Sequence, residues 1–119
     1  MTLLQQLSSC LLLAKVVPYI HKAIKGLEEE MEIKVQKLSD DELKKKNIFT
    51  WPVWEKEVSQ FDWSYDEIEE CYFLEGKVTI KTKDDKKVSF GKGDFVTFPK
   101  GLSCTWDIKE PVKKHYNFR

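Results

Sequence analysis

Apolar residues follow two rhythms along this chain, and the change of rhythm divides it. Leu3, Leu7, Cys10, Ala14 and Val17 recur at helical spacing, and Ile20, Ile24, Leu27 and Met31 continue a similar stripe one step out of phase. The spacing predicts an amphipathic helix over residues 1–30, bent at Pro18 and lying outside the main fold. Residues 28–46 are dense in charge, but 31–38 alternates enough, through Ile33 and Val35, to predict an exposed edge strand. Ser39 followed by Asp40, Asp41 and Glu42 reads as a helix cap with acids in its first turn. Lys44, Lys45 and Lys46 then end a single helical turn where the helix dipole favours cations.

From Ile48 onward no long helical period survives, and aromatic residues crowd in. Strands are predicted over 53–57, 61–65, 70–74, 77–83, 86–90, 94–98, 102–108 and 112–118. Turn signals separate them at Glu75-Gly76, Asp84-Asp85, 91–93, 99–101 and Glu110-Pro111. Residues 93–106 read as a complete hairpin, with Gly93 and Asp94 opening it and Pro99 and Gly101 reversing it. So many short strands predict an all-β fold, a closed antiparallel β-barrel or jelly roll, because closure or sandwiching manages the edges.

Composition narrows the function classes. A chain of 119 residues has room for one core, so the expected division is a helical extension over 1–30 and a β-barrel domain over 31–119. Charged residues make up 34% with zero formal net charge, and the two signs are interleaved, which leaves no basic patch for nucleic acid. Lys15 interrupts the early apolar run, so no transmembrane span is expected. Three widely spaced cysteines, Cys10, Cys71 and Cys104, do not read as a secreted disulfide framework, and a reducing, cytoplasmic setting is expected. The acid-poor, lysine-bearing start also matches an organelle-targeting peptide, the alternative location. The apolar stripe from Leu3 to Leu27 needs cover, from the domain or from a second copy in a homodimer.

Two motifs carry a resemblance. Glu69-Glu70-Cys71-Tyr72-Phe73-Leu74-Glu75-Gly76, followed by Gly93-Asp94-Phe95-Val96-Thr97-Phe98-Pro99-Lys100-Gly101, resembles the paired motifs of the cupin superfamily. With Trp51-Pro52-Val53-Trp54, 61–66 and 114–118, the chain is similar to small single-domain cupins grouped with the cupin domain of (S)-ureidoglycine aminohydrolase. The resemblance implies a cupin jelly-roll barrel, commonly paired. In metal-binding cupins the two motifs supply histidines and a glutamate, and those places fall here on Trp63, Tyr65, Glu69 and Cys104. Only Glu69 and Cys104 are good ligands, so no catalytic metal and no other cofactor is expected; Glu69, Cys104 and His115 are the one set that could hold an ion.

What remains is an aromatic lumen with a few polar groups, suited to a small molecule. Alternation puts Trp63 with Tyr65, Glu69 with Cys71 and Phe73, and Cys104 with Trp106, on faces that the resemblance turns inward. These seven are the expected ligand-binding residues. For catalysis the candidates are Glu69, Tyr65 and His115. Glu69 would act as general acid or base of a hydrolase or isomerase, or be a buried carboxylate that accepts hydrogen bonds and does nothing else. Tyr65 would donate, and His115 or Cys104 would assist.

Overall fold

The computed structural model describes residues 31–119, and the helix expected over 1–30 lies outside the described residues. The first described strand, β1 (Lys34–Gln36), is short and wholly exposed. Helix α1 (Asp40–Lys45) follows, opened by a capping box in which the Ser39 hydroxyl accepts from the Glu42 amide and the Glu42 carboxylate reaches back to Ser39. A 3-10 turn at Ile48–Thr50 completes this segment. Leu43 and Ile48 plug onto Phe95, so the helix covers one outer face of the sheet.

The remaining strands are β2 (Val53–Lys56), β3 (Ser59–Ser64), β4 (Glu69–Thr82), β5 (Lys87–Gly91), β6 (Phe95–Phe98) and β7 (Ser103–Phe118). Four predicted strands therefore merge into two long ones. The breaks at Gly76 and Pro111 are bulges, not reversals: Glu75 pairs with Lys113 and Lys77 with Glu110, so one residue of β4 faces two of β7. Pro111, which has no N–H to donate, sits in the unpaired stretch. Gly76 has φ +112°, and a Cβ there would lie 2.7 Å from the Pro111 carbonyl oxygen. Only glycine fits such a contact.

Pairing runs β1-β6-β4-β7-β2 below the bulge, while β5 pairs with β4 and β3 with β7 above it. The sheet is antiparallel and open, where a closed barrel was expected. Its edges are kept short instead, and the two halves bend over one another and close by side-chain packing. Phe90 of β5 meets Phe98 of β6 edge to face at 5.9 Å, and Phe98 meets Trp106 of β7 at 5.5 Å. The predicted hairpin is also corrected. β6 pairs with β1 and β4, whereas β7 pairs with β2, β3 and β4, so the Pro99–Gly101 turn passes the chain between halves. Tyr65 holds that turn, accepting from the Gly101 amide at 2.7 Å and donating its own N–H to the Leu102 carbonyl at 2.9 Å.

Candidate functional site

The inward faces of β2, β3, β4 and β7 end in a cavity of about 260 Å³ lined by Trp54, Phe61, Trp63, Tyr65, Glu69, Trp106, Lys114, Tyr116 and Phe118. Strand alternation explains the membership. On β7 every second residue faces in: Cys104, Trp106 and Ile108 above the bulge, then Val112 and Lys114 below it, are buried. Trp54 is the ladder partner of Lys114, and Glu69 that of Phe118.

At the polar end a carboxylate meets an ammonium. Lys114 Nζ lies 3.3 and 3.4 Å from the two Glu69 oxygens and 3.2 Å from Cys71 Sγ. Both charged side chains are almost fully enclosed, at 5% and 7% exposure. The ammonium also sits 4.9 Å from the Trp54 ring and 4.8 Å from the Trp106 ring, so indole faces replace the water it has lost. Close by, Tyr65 stacks on Phe98 at 4.9 Å, and its hydroxyl oxygen accepts from Trp106 Nε1 at 3.3 Å. Burial, then the Glu69 charge, pushes the Tyr65 phenol well above its ordinary range, so it keeps its proton.

The expected site residues are partly brought together. Tyr65, Glu69 and Trp106 line the cavity as anticipated, and Trp63 lines it from the mouth, half exposed. Cys71 and Phe73 lie deeper, behind the wall: Cys71 meets Lys114 and Glu69, and Phe73 lies 6.0 Å from the Lys114 ammonium and 6.5 Å from the Trp106 ring. Cys104 is buried opposite Trp63 in the ladder and is not part of the wall. Neither thiol is an activated nucleophile: burial drives Cys71 far upward despite Lys114, and burial with Asp62 and Glu69 pushes Cys104 up to about 11. His115 is corrected outright. It sits on the opposite face of β7, its Nδ1 2.9 Å from the Trp51 carbonyl and its ring edge-on to Phe49 at 5.7 Å. It cannot assist Glu69.

Lys114 is the residue that sequence reasoning missed. The signal was present, because the even-numbered alternation of Cys104, Trp106 and Ile108 continues to Lys114, Tyr116 and Phe118. The Glu110-Pro111 pair read as a turn and hid that continuity.

A divalent ion does not fit these residues. The superfamily's ligand places hold an indole, a phenol, Glu69 and a thiol, and Lys114 puts a positive charge 3.3 Å from the one carboxylate. Glu69, Cys104 and His115 do not converge, and among the described residues no group of three His, Cys, Asp or Glu side chains could hold a metal. No described helix is long and apolar enough to cross a membrane.

The EutQ-like cupin domain matches residues 43–116. A DUF861 family protein from Thermotoga maritima is 56% identical with TM-score 0.73, over 74% of this chain and 100% of that one. The EutQ protein of Clostridium difficile aligns at 21% identity and TM-score 0.52, over 72% of this chain and 66% of that one. A putative ethanolamine utilization protein Q from Salmonella typhimurium aligns at 16% and 0.51, over 72% and 68%. These last two share the fold alone. No curated protein matches. With a match across most of its described strands and a solved relative of this similarity, the chain belongs to the EutQ-like cupin domain family.

Proposed function

We propose that this protein binds a small aromatic or nitrogen-containing molecule in its aromatic-lined cavity without a catalytic metal. The observation that carries the reading is the enclosed Glu69–Lys114 pair at the end of an aromatic cavity. A concave apolar site with a few convergent polar groups is how small-molecule sites are built, and the volume suits a ligand below drug size. Trp63 and Phe118, both partly exposed at the mouth, give such a ligand apolar surface to cover. The finer kinship with the cupin domain of (S)-ureidoglycine aminohydrolase is part of this proposal and rests on the two motifs at 69–76 and 93–101. Pairing of two copies and a cytoplasmic home belong to it as well.

A thermal-shift screen of small aromatics and amides, run beside metal analysis of the purified chain, tests the reading. Binding to the folded state alone must raise the melting temperature. Stabilisation by organic ligands and not by zinc, manganese, iron or nickel is the expected result. Stoichiometric metal retained through purification and lost in Glu69→Gln would overturn it.

One observation favours a second reading, a hydrolase or isomerase with Glu69 as general acid or base. Tyr65 and Glu69 share the cavity, and Lys114 takes the assisting place once given to His115. Turnover of any amide or ester probe, abolished in Glu69→Gln, would establish it.

A further inference from the structure

The cavity is lined by a carboxylate, an ammonium and two phenols, Glu69, Lys114, Tyr65 and Tyr116, and the hydrogen-bonding capacity of the first three is unevenly used. Glu69 accepts from the Lys114 ammonium at 3.3 and 3.4 Å, and the Cys71 thiol is a further donor against it. Charge-assisted N–H···O bonds usually close to about 2.7–2.9 Å, and a carboxylate offers about four lone-pair sites, so accepting capacity is left over. Tyr65 accepts from Trp106, but among the described residues its own O–H donates to nothing. Lys114 has all three of its N–H groups committed, to the two Glu69 oxygens and to Cys71, and brings charge and not a spare donor. Among the described residues the cavity thus presents an acceptor and one free donor, the Tyr65 hydroxyl.

Charge sets a second condition. Glu69 and Lys114 cancel, and both are enclosed. An anion drawn to Lys114 would meet the Glu69 carboxylate, and a cation drawn to Glu69 would meet the ammonium. In a site with so little water, the unmatched charge is costly. A net-neutral ligand meets no such cost. The walls set a third condition, since Phe61 and Trp106 lie parallel at 5.9 Å and 11° while Trp54 and Trp63 add further ring surface. Flat faces favour a flat guest. A space of about 260 Å³ limits that guest to a single ring with small substituents.

We propose that the cavity recognises an uncharged, planar cyclic amide, whose ring N–H donates to Glu69 while its neighbouring carbonyl accepts from Tyr65. This rests on the binding function proposed above and narrows it to a chemical class. A lactam edge carries a donor and an acceptor side by side, which is the complement of what Glu69 and Tyr65 leave unused.

Four probes with six-membered rings separate the possibilities when titrated into the full chain by ligand-observed and protein-observed NMR: 2-pyridone, benzoate, benzylammonium and benzene. The expected order places 2-pyridone first, at least about tenfold tighter than either charged probe, because each charged probe leaves an ion unpaired. Tyr65→Phe keeps the ring on Phe98 and removes only the hydroxyl. It should weaken 2-pyridone by about three- to tenfold and leave benzene unchanged, the usual weight of one hydrogen bond. Circular dichroism confirms that this variant is folded. Equal or tighter binding of benzoate or benzylammonium overturns the amide class while leaving the cavity a binding site. Benzene matching 2-pyridone, or a Tyr65→Phe chain that binds 2-pyridone as well as the parent, overturns polar recognition. No response to any probe overturns this proposal and the binding function together.

Discussion

Glu69 and Glu70 are adjacent on β4 and point to opposite faces of the same sheet. Glu69 turns inward to an enclosed lysine among indole rings. Glu70 turns outward and meets Arg119 at 3.0 Å and Lys46 at 3.9 Å, both partners reaching it from solvent at 58% and 42% exposure. The residue type is the same and each is paired, yet the surroundings differ in what they do to charge. Glu70 is itself nearly as enclosed as Glu69, at 11% against 7%, so the difference lies in the partners: Arg119 and Lys46 keep their charges in water, which screens the outer pairs, whereas Lys114 is enclosed with Glu69 and either member left alone is costly. One step along a strand separates a carboxylate whose partners stand in water from one enclosed with its partner.

The largest effect should come from Lys114→Ala. It leaves the Glu69 carboxylate buried without its counter-charge, and a loss of about 3–5 kcal/mol in urea unfolding is expected. The double variant Glu69→Gln/Lys114→Met should recover most of that loss, because no lone charge remains. A single variant as stable as the parent would show that the two glutamates do not differ as described.

Gly76→Ala attacks the device that holds the contrast in place. A methyl group would lie 2.7 Å from the Pro111 carbonyl, on a backbone at φ +112°. A loss of about 1–3 kcal/mol is expected, the usual range for backbone strain of this kind. If the bulge instead relaxes, β7 slips by one residue and exchanges the facings of Lys114 and His115. Chemical shifts of His115 report which occurs.

Alkali should also distinguish inside from outside. Burial holds the Cys104 thiol at about 11 against an ordinary 9.0, so the folded chain keeps a proton that the unfolded chain releases first. Stability is therefore full below 9.0 and falls as pH climbs from there towards about 11. Cys71 and Tyr65, raised in the same direction, extend the fall. Melting temperature against pH checks this, and Cys104→Ser should flatten the first part of the curve.

Glu70→Gln should have the smallest effect, about 1 kcal/mol and reduced in high salt, because the amide oxygen still accepts from Arg119 and both partner charges stay in water. A larger loss that persisted in salt would erase the comparison.

How much of this could be read beforehand differs from element to element. The Ser39 cap and the special places at Gly76 and Pro111 were legible because each rests on local chemistry, and the inward set of Tyr65, Glu69 and Trp106 because strand alternation was joined to the cupin resemblance. The kind of break was not. A glycine beside a proline marks equally a chain reversal and a bulge, and the choice between them depends on the facing strand. The same ambiguity split β7 at Glu110-Pro111, so nothing linked Lys114 to the inward face of Cys104 and Trp106. The 93–106 hairpin failed for a related reason, since turn residues show where a chain bends and not which strand it will join. Openness of the sheet was equally invisible, being settled by pairing between distant strands.

The β4–β7 ladder also bears on the order in which the molecule assembles. The Glu69–Lys114 contact joins residues 45 apart in sequence, and the Tyr65–Trp106 bond joins residues 41 apart. Such contacts repay the entropy of closing a long loop only after the loop is closed, which makes this a slow-folding topology. The cavity exists only once those long-range contacts have formed. A chain whose long strands have not yet met contains every residue of the site and none of its chemistry.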